Sequence, residues 1–122
     1  MHWPLVAVLA FALTACRPGL EKKLVGEWGS GCSIDICTVT TLKADHTFSE
    51  RFDEKDVPDR NYSGTWHVEG DQLVMHVTWA AQSLQDIVGK DLRLIISAFE
   101  DKKFVATPLE DRTKPLAWER RH

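Results

Sequence analysis

No stretch of this 122-residue sequence is apolar for long enough to cross a bilayer as a helix, which takes about 20 residues. Positive charge is not in excess either. Fifteen Lys and Arg stand against 18 Asp and Glu, a formal net charge of −3, so the footprint of a nucleic-acid binder is missing and nucleic acid is not an expected partner. The sequence has no G-x-S-x-G, no H-E-x-x-H and no glycine-rich phosphate loop. Among 18 acidic residues no pair stands out for acid–base work. No catalytic residue, metal or cofactor is therefore expected, and the chain reads as a non-enzyme. Internal repeats and low-complexity linkers are absent after the first residues, which argues for one folded domain. With 43% hydrophobic and 27% charged residues the balance is that of an ordinary globular protein.

The N-terminal region is different. No Lys, Arg, Asp or Glu occurs before Arg17, and every residue from Leu5 to Leu13 is apolar. That run has the length of a signal-peptide core, about 7–15 residues, although the usual basic residues before it are missing. Leu13-Thr14-Ala15-Cys16 closes the run and resembles the lipobox of bacterial lipoproteins. The resemblance implies cleavage before Cys16, lipid on its sulfur and acylation of the new amino terminus. The alternative is an ordinary signal peptide cut after Ala15. Two or more acyl chains anchor a protein stably, where one holds it only marginally. Arg17 stands where the Gram-negative sorting pattern has Asp for inner-membrane retention, so the expected location is the cell envelope, on the outer membrane and facing the periplasm. The expected organisation is a signal peptide over 1–15, the lipidated cysteine and a short tether over 16–23, and a domain over 24–122.

Lipidation of Cys16 leaves Cys32 and Cys37. In an oxidising compartment that remaining pair is expected to form a disulfide. It closes a tight loop, worth about 2 kcal/mol by chain entropy. The spacing is not C-x-x-C, and two cysteines without neighbouring ligands do not make a metal site.

The rest of the chain reads as strands and turns: Leu24 to Ser30, Ile36 to Lys43, Thr47 to Phe52, Asn61 to Glu69, Gln72 to Trp79, Leu92 to Phe99, Lys103 to Leu109 and Pro115 to Arg121. Thr38, Val39, Thr40 and Thr41 are β-branched, as strands prefer. Gly70-Asp71 is a two-residue hairpin turn of favoured chemistry. It places Trp66, Val68, Leu73, Met75, Val77 and Trp79 on one face, and Thr65, His67, Glu69, Gln72, Val74, His76 and Thr78 on the other. Ala80 to Val88 suits a short helix ended by Gly89. The expected fold is all-β: a small antiparallel up-and-down meander barrel of about eight strands, because closure removes exposed edges.

Within this pattern, Leu24-Val25-Gly26-Glu27-Trp28 resembles the G-x-W strand that opens lipocalins and small bacterial lipocalin-like lipoproteins. Leu42-Lys43-Ala44-Asp45-His46-Thr47-Phe48 is similar to their L-x-x-D-G-T-F turn, with His46 in place of glycine. Gly64-Thr65-Trp66 with Gly70-Asp71-Gln72-Leu73 is similar to their G-T-W…G-D-x-L hairpin, and Trp118-Glu119-Arg120 sits where such domains carry a terminal arginine. The resemblance spans about residues 24–121. It implies that Arg120 packs over Trp28 to close the barrel, a cation–π contact worth about 0.5–2 kcal/mol.

Among the remaining polar residues, His67 and His76 share the outward face of the hairpin, near Glu69 and Asp71, without a secure third and fourth metal ligand. Asp53, Glu54, Asp56 and Asp59 form an acidic loop without calcium-loop spacing. Alternation brings Thr38, Thr40 and Glu50 inward with Phe48, Phe52, Trp66 and Trp79. Two outcomes are open for this set. Either the core is filled and Glu50 pairs with Arg120 or is turned out by a bulge, or the set lines a small pocket. The functional expectation is a lipid-anchored, non-enzymatic binding module for a small apolar ligand. The alternative is an envelope protein-interaction lipoprotein, such as a hydrolase inhibitor or immunity-type protein.

Overall fold

The computed structural model describes residues 18–32, 37–52 and 60–121. A short helix α1 (Pro18–Leu24) precedes β1 (Gly26–Ser30), β2 (Thr38–Leu42), β3 (Thr47–Phe52), β4 (Tyr62–Glu69) and β5 (Gln72–Ala80). A 3₁₀ helix (Gln82–Ile87) leads to β6 (Asp91–Glu100), β7 (Lys103–Pro108) and β8 (Leu116–Arg120). The strands form a closed antiparallel barrel in sequence order, with β8 returning to pair with β1. The all-β meander expected from the turns is therefore the fold.

The segment read as a tether up to Lys23 is instead largely α1. Pro18 opens the helix, Glu21 lies in its first turn and Lys22 and Lys23 in its last, as the helix dipole favours. So short a helix is marginal alone and needs tertiary contacts. It gains them through Leu20 and Leu24, one helical turn apart and both buried in the core. Glu21 adds a further link. Val68 extends past the last β3–β4 pair, Thr47 with Thr65, so its N–H lacks a strand acceptor and donates to Glu21 Oε1 at 3.1 Å. Helix α1 thus covers one end of the barrel.

The core inside the barrel is rich in aromatics. Phe104 lies edge-on to Trp28 at 4.7 Å, stacks with Phe99 at 5.4 Å and touches Trp118 at 5.3 Å. Leu42, Phe48, Trp66, Leu73, Met75 and Val77 complete the packing.

One irregularity redirects a large side chain. The β4–β5 register shifts between Ser63 and Gly64, so that Ser63 faces Trp79 while Gly64 faces Val77. A Cβ at Gly64 would overlap the carbonyl oxygen of His76, so only glycine allows the strands this approach. The bulge breaks the period-two alternation. Val77 and Ala80 are buried, whereas Thr78 and Trp79 are exposed, Trp79 at 55%. The expectation that Trp79 points inward is thereby corrected. Val74, expected on the polar outer face, is on that face but fully buried. It pairs with His67 on one side and Arg93 on the other; Arg93 reaches across β5 to Glu69, which also contacts His67 along β4.

Candidate functional site

The barrel ends differ. At the α1 end, the Arg120 guanidinium lies 4.2 Å over the ring of Trp28. Its Nη2 donates to Lys23 O at 2.7 Å, Nη1 to Val25 O at 3.0 Å and Nε to Asp101 O at 3.2 Å. Trp28 Nε1 donates to Leu24 O at 2.8 Å. Residues at the two ends of the domain therefore occupy carbonyls that the end of a helix leaves without partners.

The other end holds a cavity of about 510 Å³. Its walls are Met75, Leu92, Leu94, Ala106, Pro108 and Trp118, with Ser30, Thr38, Glu50 and Tyr62 as polar groups. Arg93, Glu110, Lys114, Pro115 and Leu116 border it. Pockets of about 300–1,000 Å³ with apolar walls and a few polar groups are the usual form of a small-molecule site.

The polar groups follow from register. Thr40 pairs with Glu50 across β2–β3, and Glu50 pairs with Tyr62 across β3–β4, so the three form one inward row. Burial raises the Glu50 carboxyl from its ordinary value to about 6, and the neighbouring hydroxyls of Tyr62 and Thr40 oppose part of that rise. The same burial, with the nearby Glu50 charge, pushes the Tyr62 hydroxyl upward, so it stays protonated at neutral pH. Thr40 Oγ1 is buried and has no hydrogen-bond partner among the described residues. Of the outcomes left open for Glu50, the pair with Arg120 does not form, because Arg120 is engaged by three carbonyls at the α1 end.

Of the residues assigned to a pocket from sequence, Thr38 and Glu50 line the cavity and Thr40 lies buried beside Glu50 in the register. Phe48 and Trp66 belong to the packed core instead, where Trp66 Nε1 donates to Lys43 O at 3.0 Å. Phe52 is half-buried with the Arg60 guanidinium 5.8 Å from its ring centre, and Trp79 is outside. Tyr62 was missed, although it shares parity with Gly64 and Trp66 on β4. Leu92, Leu94 and Ala106 had no distinguishing signal, since apolar alternation marks a wall and a solid core alike.

Cys32 and Cys37 are joined by a disulfide. It sits against Gly29, where an added Cβ would lie 3.0 Å from the Cys32 sulfur. His76 Nδ1 lies 2.7 Å from Asp91 Oδ1 and His67 Nε2 3.4 Å from Glu69 Oε1, both on the surface. Among the described residues no three His, Cys, Asp or Glu are arranged to hold a metal ion. Cys16 and the acidic loop Asp53 to Asp59 lie outside the described residues. No protein-family model matches this sequence, and no curated protein matches it.

Proposed function

We propose that the protein is a lipid-anchored lipoprotein of the cell envelope, lipocalin-like in kind, that binds a small apolar or amphipathic ligand without transforming it. The observation that carries this reading is the apolar-walled cavity with an inward polar row at one end of a barrel whose other end is covered. The Leu13-Thr14-Ala15-Cys16 sequence supports the anchor, and the Cys32–Cys37 disulfide suits an oxidising compartment. The Arg120–Trp28 contact fits the lipocalin-like resemblance.

On this reading the anchor determines orientation. Cys16 precedes Pro18 by two residues, a span of at most about 7 Å of extended chain. Helix α1 is bound to the covered end, so the lipid holds that end to the membrane and the cavity faces away, into the periplasm. Mass spectrometry of native protein extracted from membranes tests both parts. The expected result is a lipidated Cys16 and a co-purifying small molecule. In parallel, Cys16→Ser should leave the membrane fraction; retention equal to the parent would remove the lipoprotein reading.

A second reading, a protein-binding role in the envelope, draws support from Trp79, Val88 and Leu116, which are exposed near the cavity end. Cross-linking in intact envelopes through a photoreactive residue at Trp79 tests it. A discrete adduct is expected if a protein docks there.

A further inference from the structure

We infer that the ligand of this cavity is an organic cation, an amine bearing a compact apolar group, whose ammonium pairs with Glu50. The inference rests on the reading of the cavity as a binding site and adds the chemistry of what enters it.

Charge is out of balance at the cavity. Glu50 faces the cavity and forms no ion pair among the described residues. Buried charges are otherwise paired, because an unpaired carboxylate in an apolar surrounding is costly. The nearby cations have other partners. Arg93 bonds to Glu69 and Asp91, Lys114 lies 3.5 Å from Asp111, Arg60 lies over Phe52 and Arg120 is held by carbonyls at the far end.

Other groups favour the ionised carboxyl. Tyr62 keeps its proton and is placed to donate it to Glu50. The free hydroxyl of Thr40, next in the register, can turn its proton the same way. Two hydroxyls can thus donate to a carboxylate that has no counter-ion among the described residues. Of the remaining polar groups lining the cavity, Ser30 and Thr38 are neutral, and Glu110 is a second acidic residue at the border. An ammonium would supply the missing positive charge and up to three donors. A carboxylate ligand would meet like charge, and an alcohol would bring one donor and no charge. Met75 and Trp118 offer the apolar part of the ligand a hydrophobic and aromatic wall.

The test uses the full lipidated chain in phospholipid vesicles and three probes of one shape: 2-phenylethylamine, 2-phenylethanol and phenylacetate. Calorimetric titration at pH 7.5, with empty vesicles subtracted, gives the three affinities. The amine is expected to bind at least tenfold more tightly than the alcohol, and phenylacetate more weakly than either. The amine's advantage should shrink as pH falls below about 6, where Glu50 takes up a proton. Glu50→Gln should abolish the advantage while keeping binding of the alcohol. Should that variant fail to fold, the pH profile of the parent decides. Equal affinity for amine and alcohol in the parent, or a preference that survives to pH 4.5, would overturn the cation inference and leave the cavity reading standing. Binding of none of the three would overturn both.

Discussion

His46 has φ 66°, in the left-handed region that most side chains avoid. Its ring lies 5.3 Å from that of Trp66, and its Nε2 lies 3.0 Å from Glu21 Oε2. That hydrogen bond is the chief reason the Glu21 carboxyl sits below its ordinary value, against the opposing effect of its partial desolvation. The side chain therefore compensates for a backbone conformation that glycine would adopt without cost. The left-handed conformation costs a non-glycine residue about 1–2 kcal/mol. His46→Ala loses the contacts and keeps the strain, whereas His46→Gly loses the contacts and relieves it. By urea denaturation the glycine variant is expected to be more stable than the alanine variant by at least about 1 kcal/mol. Equal stabilities would mean that the turn rearranges when the ring is removed. The sequence marked this position through the L-x-x-D-H-T-F turn. The contact with Glu21 was not legible, because it joins a helix that the sequence read as a tether.

The same distinction holds for the elements. The β4–β5 hairpin was legible from Gly70-Asp71, and its register is the one the turn dictates: Glu69 with Gln72, Val68 with Leu73. What the turn could not convey was the bulge at Ser63/Gly64, since a local pattern carries its parity forward until something interrupts it. Gly64 is that interruption. Gly64→Ala is expected to destabilise by at least about 2–3 kcal/mol, because its Cβ meets backbone that cannot move without parting the strands. The neighbouring Ser63→Ala should change little. Thermal melts of both variants check this; a Gly64→Ala protein as stable as the parent would show that the strands separate there without cost. Helix α1 eluded the sequence reading for a related reason. Leu20 and Leu24 are only two apolar positions, too few to show a helical period, and the helix forms because the barrel end accepts them.

Closure of the whole molecule depends on residues far apart in sequence. Arg120 joins Val25, Lys23 and Trp28 at separations up to 97 residues. Trp28→Ala is expected to cost about 3–5 kcal/mol through lost packing and the cavity left behind. Arg120→Ala is expected to cost about 2 kcal/mol, from the ring contact and the carbonyl hydrogen bonds. Arg121 is exposed and bonds to Glu27 at 3.6 Å on the surface, so Arg121→Ala should cost less than about 1 kcal/mol. Denaturant midpoints give the ranking, and an Arg121 loss exceeding that of Arg120 would contradict the register of β8. Glu50 makes stability depend on pH. Between its ordinary 4.5 and about 6 the folded state holds more protons than the unfolded, so stability falls as pH rises through that window. The difference is worth about 2 kcal/mol at most. Glu50→Gln should therefore be more stable than the parent at pH 8 by up to that amount and equal to it near pH 4. Melting curves at both pH values check the sign; a difference independent of pH would show that burial of the carboxyl is not its source. The strands, their order and the face of most side chains were legible in the residue pattern, because alternation and turn chemistry are local. Tertiary structure alone decided that α1 covers one end, that Trp79 lies outside, and that Glu50 faces a cavity without Arg120. Those outcomes depend on which distant surfaces meet when the barrel closes, and no local pattern encodes that.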